Sequence, residues 1–172
     1  MNKLLLAIFL VIFSVSTVWA KEATPEARLH ELRDQNKQKI AERINQQLAK
    51  INLKTTQAFT QHLAAIQNLL TKAATWKDKA KTNGKDVTAA ETAIAACQTA
   101  IATAQEANEA QKLKTYTVEY TDETQLRTGA KTVKTNLRTD LTAVREKVKT
   151  SRQKLIDAIK IIKQLYPAES KQ

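Results

Sequence analysis

The residues best equipped to do chemistry in this chain are cations on one predicted helix. Between Leu126 and Leu165 there are 11 basic residues and three acidic ones, among them Arg127, Lys131, Lys134, Arg138, Arg145, Lys149 and Arg152. Guanidinium and ammonium groups gathered on one face raise a field that attracts anions at a distance and needs no pocket. The partner such a face fits is an anionic surface, either envelope polymer or lipid headgroups. Nucleic acid fits least well, because the face has no aromatic side chains on which bases could stack. A solvated exterior is the plainer alternative, since every helical bundle needs a charged outside.

A second constellation has the period of a strand. Thr115–Thr121 alternates, and Tyr116, Val118 and Tyr120 share one side. β-branched and aromatic residues at period two predict an extended strand. That side can lie buried on the rest of the fold, or it can add an edge to a protein partner. Burial is the expected outcome, because an open apolar edge invites aggregation.

Catalytic parts are not legible. His30 and His62 lie too far apart on one helix to share an ion, the carboxylates are scattered, and no glycine-rich phosphate loop occurs. The expectation is a non-enzymatic protein with no catalytic residues, no metal site and no cofactor. Cys97, the single cysteine, sits between Ile94 and Ile101 on an apolar stripe, where a thiol acts as a small hydrophobe.

The elements that must position these groups are long helices. The chain has 172 residues with only two glycines and two prolines. Its first 20 residues read as a signal peptide: Lys3, then an apolar run from Leu4 to Val15, then Val18-Trp19-Ala20 as a small-x-small cleavage site. The expected location is secreted or periplasmic. The remaining stretch, 21–166, is long enough for one domain.

Thr24-Pro25-Glu26 starts a helix predicted over 25–81, with Ile40, Ile44, Leu48, Ile51, Phe59, Ile66 and Leu70 on its inner stripe and Thr55 and His62 filling the gaps. Asn83-Gly84 is a turn. A second helix over 87–113 is capped by Asp86 or Thr88, with Thr88 and Glu91 spaced as a capping box. It presents Ala90, Ile94, Cys97, Ile101 and Ala104. The extended segment comes next, and Asp122 and its neighbours can cap a third helix over 122–165. There Leu126, Leu137, Val148 and Ile159 recur every 11 residues, as do Val133, Val144, Leu155 and Tyr166. Residues 167–172 read as a frayed tail. Helix lengths balance only if the second helix and the extended segment together form the middle leg. The fold predicted is all-α, an elongated antiparallel three-helix bundle with one extended crossover between helices 2 and 3.

Two stretches, Asn83 to Glu91 and Asp140 to Arg152, resemble a loose group of secreted, alanine-rich, coiled-coil-like helical proteins of uncultured bacteria. The resemblance spans roughly Leu29 to Leu165 and implies an architecture without an activity. Likeness to Skp/OmpH-like periplasmic chaperones is confined to size, charge and helicity. Those proteins join their helices to a β-sheet trimer body, which a single strand cannot build. The functional expectation is a helical protein that binds or spaces anionic envelope components through its basic face. The alternative is a periplasmic holdase chaperone, which needs exposed apolar surface.

Overall fold

A computed structural model describes residues 24–119 and 123–166. The signal-peptide pattern, Tyr120, Asp122 and the tail 167–172 lie outside the described residues. Among the described residues three helices form: α1 (Pro25–Thr82), α2 (Thr88–Lys112) and α3 (Glu123–Gln164). All three pack against one another, which makes the protein an all-α three-helix bundle. α1 runs up, α2 returns, the crossover continues downward and α3 climbs again. The tops of α1 and α3 therefore meet, and the Tyr166 hydroxyl donates to the Trp76 carbonyl at 2.8 Å. The 58 residues of α1 make it about 87 Å long at 1.5 Å per residue.

Helix starts follow local chemistry. The Thr24 hydroxyl accepts from the Ala27 N–H, and Pro25 opens the first turn, where a missing N–H costs nothing. Gly84 takes φ +74°, a left-handed conformation that L side chains resist by roughly 1–2 kcal/mol. The capping box expected at Thr88 and Glu91 does not form. Instead Asp86 Oδ1 accepts from the Thr88 N–H and hydroxyl, at 2.9 and 2.7 Å, which holds its carboxyl below the usual carboxylate range. Glu91 turns away to meet Lys81 Nζ at 3.1 Å. The many threonines are accommodated inside helices because their hydroxyls donate to the carbonyl four residues back, as at Thr71, Thr99 and Thr142.

The larger core lies in the upper half. Phe59, Leu63, Ile66 and Leu70 of α1 face Ile94, Cys97 and Ile101 of α2 and Val148, Leu155 and Ile162 of α3. Alanines at 73, 90, 104 and 158 are also buried, so the backbones can approach closely. Burying side chains such as Leu63, Leu70, Ile101 and Ile162 contributes about 1.5–3 kcal/mol each. A smaller cluster at the lower end gathers Leu48, Val118 and Leu137, with Leu141 touching both.

Three expectations about this packing are corrected. The buried stripe of α1 runs through Leu48, Asn52, Thr56, Phe59, Leu63, Ile66 and Leu70, while Ile40, Ile51 and His62 stay exposed. The alternation of three- and four-residue steps places Asn52 and Thr56 inward even though they are polar, and the larger Ile51 falls at the rim. On α3 the buried positions step through Leu137, Val144, Val148, Ser151, Leu155, Ala158 and Ile162, and the 11-residue register fails at Tyr166, which stays exposed. The third correction concerns Thr115–Thr121. Its described part, residues 115–119, is irregular and pairs with no strand among the described residues. The Asn45 side chain stands in for one at Val118.

Candidate functional site

Seven of the 11 basic residues of α3 fall in one file, while the exposed Lys147 and Lys154 lie on the opposite side of the helix. At 100° per residue, Arg127, Lys131, Lys134, Arg138, Arg145, Lys149 and Arg152 lie within a sector of about 60°. All seven side chains are exposed. The core residues Leu137, Val148 and Leu155 occupy the adjoining sector, so the file stands directly beside the seam with α1. Lys149 meets Glu146 at 3.4 Å across one turn, an exposed pair of little energetic weight. Arg127, Lys131, Lys134, Arg138, Arg145 and Arg152 make no ion pair among the described residues.

That seam is open on the side away from α2. A hollow of about 800 Å³ lies between α1 and α3, floored by Ile44, Leu48, Ile51, Phe59, Leu137 and Leu141. Its α3 wall carries Lys131, Lys134, Arg138 and Arg145, whereas its α1 wall offers the uncharged Gln47 and Thr55. A second hollow of about 720 Å³ continues upward over Ile66, Leu69, Val148, Leu155 and Ile159, with Lys149 and Arg152 on its α3 wall and His62 on the α1 side. Phe59 and Arg145 border both hollows, so the two lie end to end along the α1–α3 seam, which is called the groove. Ile51 and Leu69 remain 49% and 48% exposed within it. Six of the cations expected from the sequence to form a face (131, 134, 138, 145, 149 and 152) thus line a groove with an apolar floor. Arg127 lies on the same file beyond the lower end of the groove.

The predicted strand residues serve a different purpose. Val118 is buried, and the Asn45 side chain satisfies both its backbone groups: the Val118 N–H donates to Asn45 Oδ1 at 2.7 Å, and Asn45 Nδ2 donates to the Val118 carbonyl at 3.2 Å. At Val118 the edge offered to a partner is therefore occupied from within. Tyr116 is half-buried and donates its hydroxyl to Asp140 Oδ2 at 2.6 Å. Gln111 Nε2 donates to both the Tyr116 oxygen and Asn52 Oδ1, each at 2.9 Å. Asn52 Nδ2 donates to the carbonyls of Gln111 and Lys114, so the end of α2 is capped by a side chain from α1.

Asp140 also holds Lys114 Nζ at 2.9 Å. The Tyr116 hydroxyl first, and then the Lys114 ammonium, keep the Asp140 carboxyl below its ordinary range. Burial, followed by the bond to Asp140, pushes the Tyr116 phenol up. Both shifts lead away from neutrality, the opposite of what a general acid or base at working pH requires. The network is a fastening that ties the crossover to α1 and α3. Its members Asn45, Asn52, Gln111 and Asp140 were not singled out from the sequence, because isolated polar residues in a helix carry no periodic signal.

Among the described residues no group of three or more His, Cys, Asp or Glu side chains could hold a metal ion, and no helix is long and apolar enough to cross a membrane. Comparison with protein-family models, with curated proteins and with solved structures yields no match.

Proposed function

We propose that this protein is a non-enzymatic envelope-binding protein that engages an anionic component through the cationic wall of the α1–α3 groove. The observation that supports the reading most directly is the difference between the two walls of the groove. Six cations stand along one wall, five of them without an ion-pair partner among the described residues, beside an apolar floor. The signal-peptide pattern of residues 1–20 supports a location outside the cytoplasm. The length of α1 suits a second, spacing role.

The test is binding of purified protein to an anionic polymer and to anionic vesicles, with neutral polymer and zwitterionic vesicles as controls. Binding is expected to the anionic members alone and to weaken steeply with salt, because charge attraction is screened over about 10 Å at 0.1 M. Converting Lys131, Lys134 and Lys149 together to Glu should abolish it while leaving the helical signal intact. Unchanged binding by that variant would reduce the file to a solvated exterior.

The half-exposed Ile51 and Leu69 favour one further reading, a holdase that shelters unfolded clients on an apolar floor. Suppression of aggregation of a model client, insensitive to salt, would support the holdase over the electrostatic reading.

A further inference from the structure

We infer that the α1–α3 groove is the seat of an acidic amphipathic helix from a partner protein, laid along it as a fourth helix. This rests on the reading of the groove as an anion-binding site and names its occupant. The two hollows follow one another along the seam with Phe59 and Arg145 at their common border, and together they span α1 from Ile44 to Leu69, about 38 Å. That is the length of a helix of roughly 25 residues. The floor needs an apolar stripe to cover it, and Ile51 and Leu69 supply its half-exposed contact points.

The distribution of charge chooses the occupant. The cations from Lys131 to Arg152 extend over about 32 Å of α3 instead of clustering at one end. A single-headed amphiphile would set one anionic group against one or two of them and leave the others facing its hydrocarbon chain. A helix bearing Asp or Glu at successive turns meets them all. Lys134, Arg138, Arg145 and Arg152 flank the apolar seam as the charged flanking positions of a coiled coil do, and such positions select partner and orientation. Because the α1 wall presents no Lys, Arg, Asp or Glu, the acidic residues should lie on one flank of the incoming helix only.

A second copy of the chain fits less well. Its net charge is +11. The exposed first turns of α1 carry Leu29 and Leu32 but intersperse Glu26, Glu31 and Asp34 with Arg28 and Arg33. The apolar stripe of α2 is already buried in this bundle.

The experiment uses the full chain and two synthetic helical peptides of about 25 residues. Both carry the same leucine stripe, and one flank is Glu in the first and Lys in the second. The Glu peptide should bind at least about tenfold tighter, from several modest charge pairs acting together, and the gap should close at high salt. Ile51→Gln with Leu69→Gln should weaken the Glu peptide by about tenfold or more while leaving helicity unchanged, since both side chains are half-exposed. Reversal of Lys131, Lys134 and Lys149 to Glu should invert the preference between the peptides. Equal binding of the two peptides, or binding indifferent to the floor pair, would overturn the inference. Anionic vesicles or polymer bound while the Glu peptide is ignored would overturn the helix and keep the wider anion-binding reading. The Glu peptide bound while polymer and vesicles are ignored would support the helix and overturn that wider reading. Dimers of the chain that shield the Ile51–Leu69 floor would give the groove to a second copy and overturn the inference.

Discussion

One side-chain amide, that of Asn45, satisfies both the N–H and the carbonyl of Val118 across 73 residues of chain. The amide offers a donor and an acceptor side by side, as a neighbouring strand would, so the crossover needs no sheet. Without it, two polar groups at the buried Val118 would face the lower core unpaired, and each such group costs about 1–3 kcal/mol.

Asn45→Ala should therefore destabilise the protein by about 2–4 kcal/mol, the sum of two partly compensated losses. Urea denaturation of the variant and the parent measures this directly. A loss below about 0.5 kcal/mol would mean that solvent reaches Val118 after all.

The Tyr116–Asp140 bond makes stability pH-dependent. The carboxyl of Asp140 is lowered by the Tyr116 hydroxyl and then by Lys114. A group depressed in the folded state contributes stability that is present above its unfolded value, about 3.9, and lost as pH falls through the folded value. Asp140→Asn should thus be less stable than the parent near neutral pH, with the difference shrinking as pH drops below about 4. Tyr116→Phe should weaken the same acid dependence, and the Lys114 ammonium should retain the rest. Thermal melts of the three proteins across the acid range provide the test.

Cys97 is fully buried, with its sulfur 3.7 Å from the Ser151 carbonyl, and burial pushes the thiol up. The thiolate is the reactive form, so both access and ionisation are suppressed. A thiol reagent should label the native protein negligibly and label it stoichiometrically in denaturant. Rapid native labelling would place the sulfur at the surface.

The corrected stripe of α1 is tested by two leucine-sized side chains. Leu63 is 2% exposed and Ile51 lies half out of the groove. Leu63→Ala should cost about 2–5 kcal/mol through lost burial and a residual cavity. Ile51→Ala should cost under about 1 kcal/mol and leave melting nearly unchanged. Equal losses would return Ile51 to the core.

Three helices and the turn at Gly84 were legible in local signals: Pro25 at a helix start and Asn83-Gly84 at a helix end. The β-branched alternation at Thr115–Thr121 marked where the helices break but not a strand. The inner stripe of α2 was equally legible, because Ala90, Ile94, Cys97, Ile101 and Ala104 are apolar at every step. The basic file was legible as an excess of charge on one helix. Only the tertiary structure decided that six of those cations line a groove, because a groove needs two helices and the angle between them. It also decided that Asn52 and Thr56 point inward while Ile51 does not. Polarity in a sequence says how readily a residue faces water. Whether it must is set by the partners that the fold brings to it: the end of α2 supplies carbonyls to the Asn52 amide, and the Thr56 hydroxyl donates to the Asn52 carbonyl of its own helix.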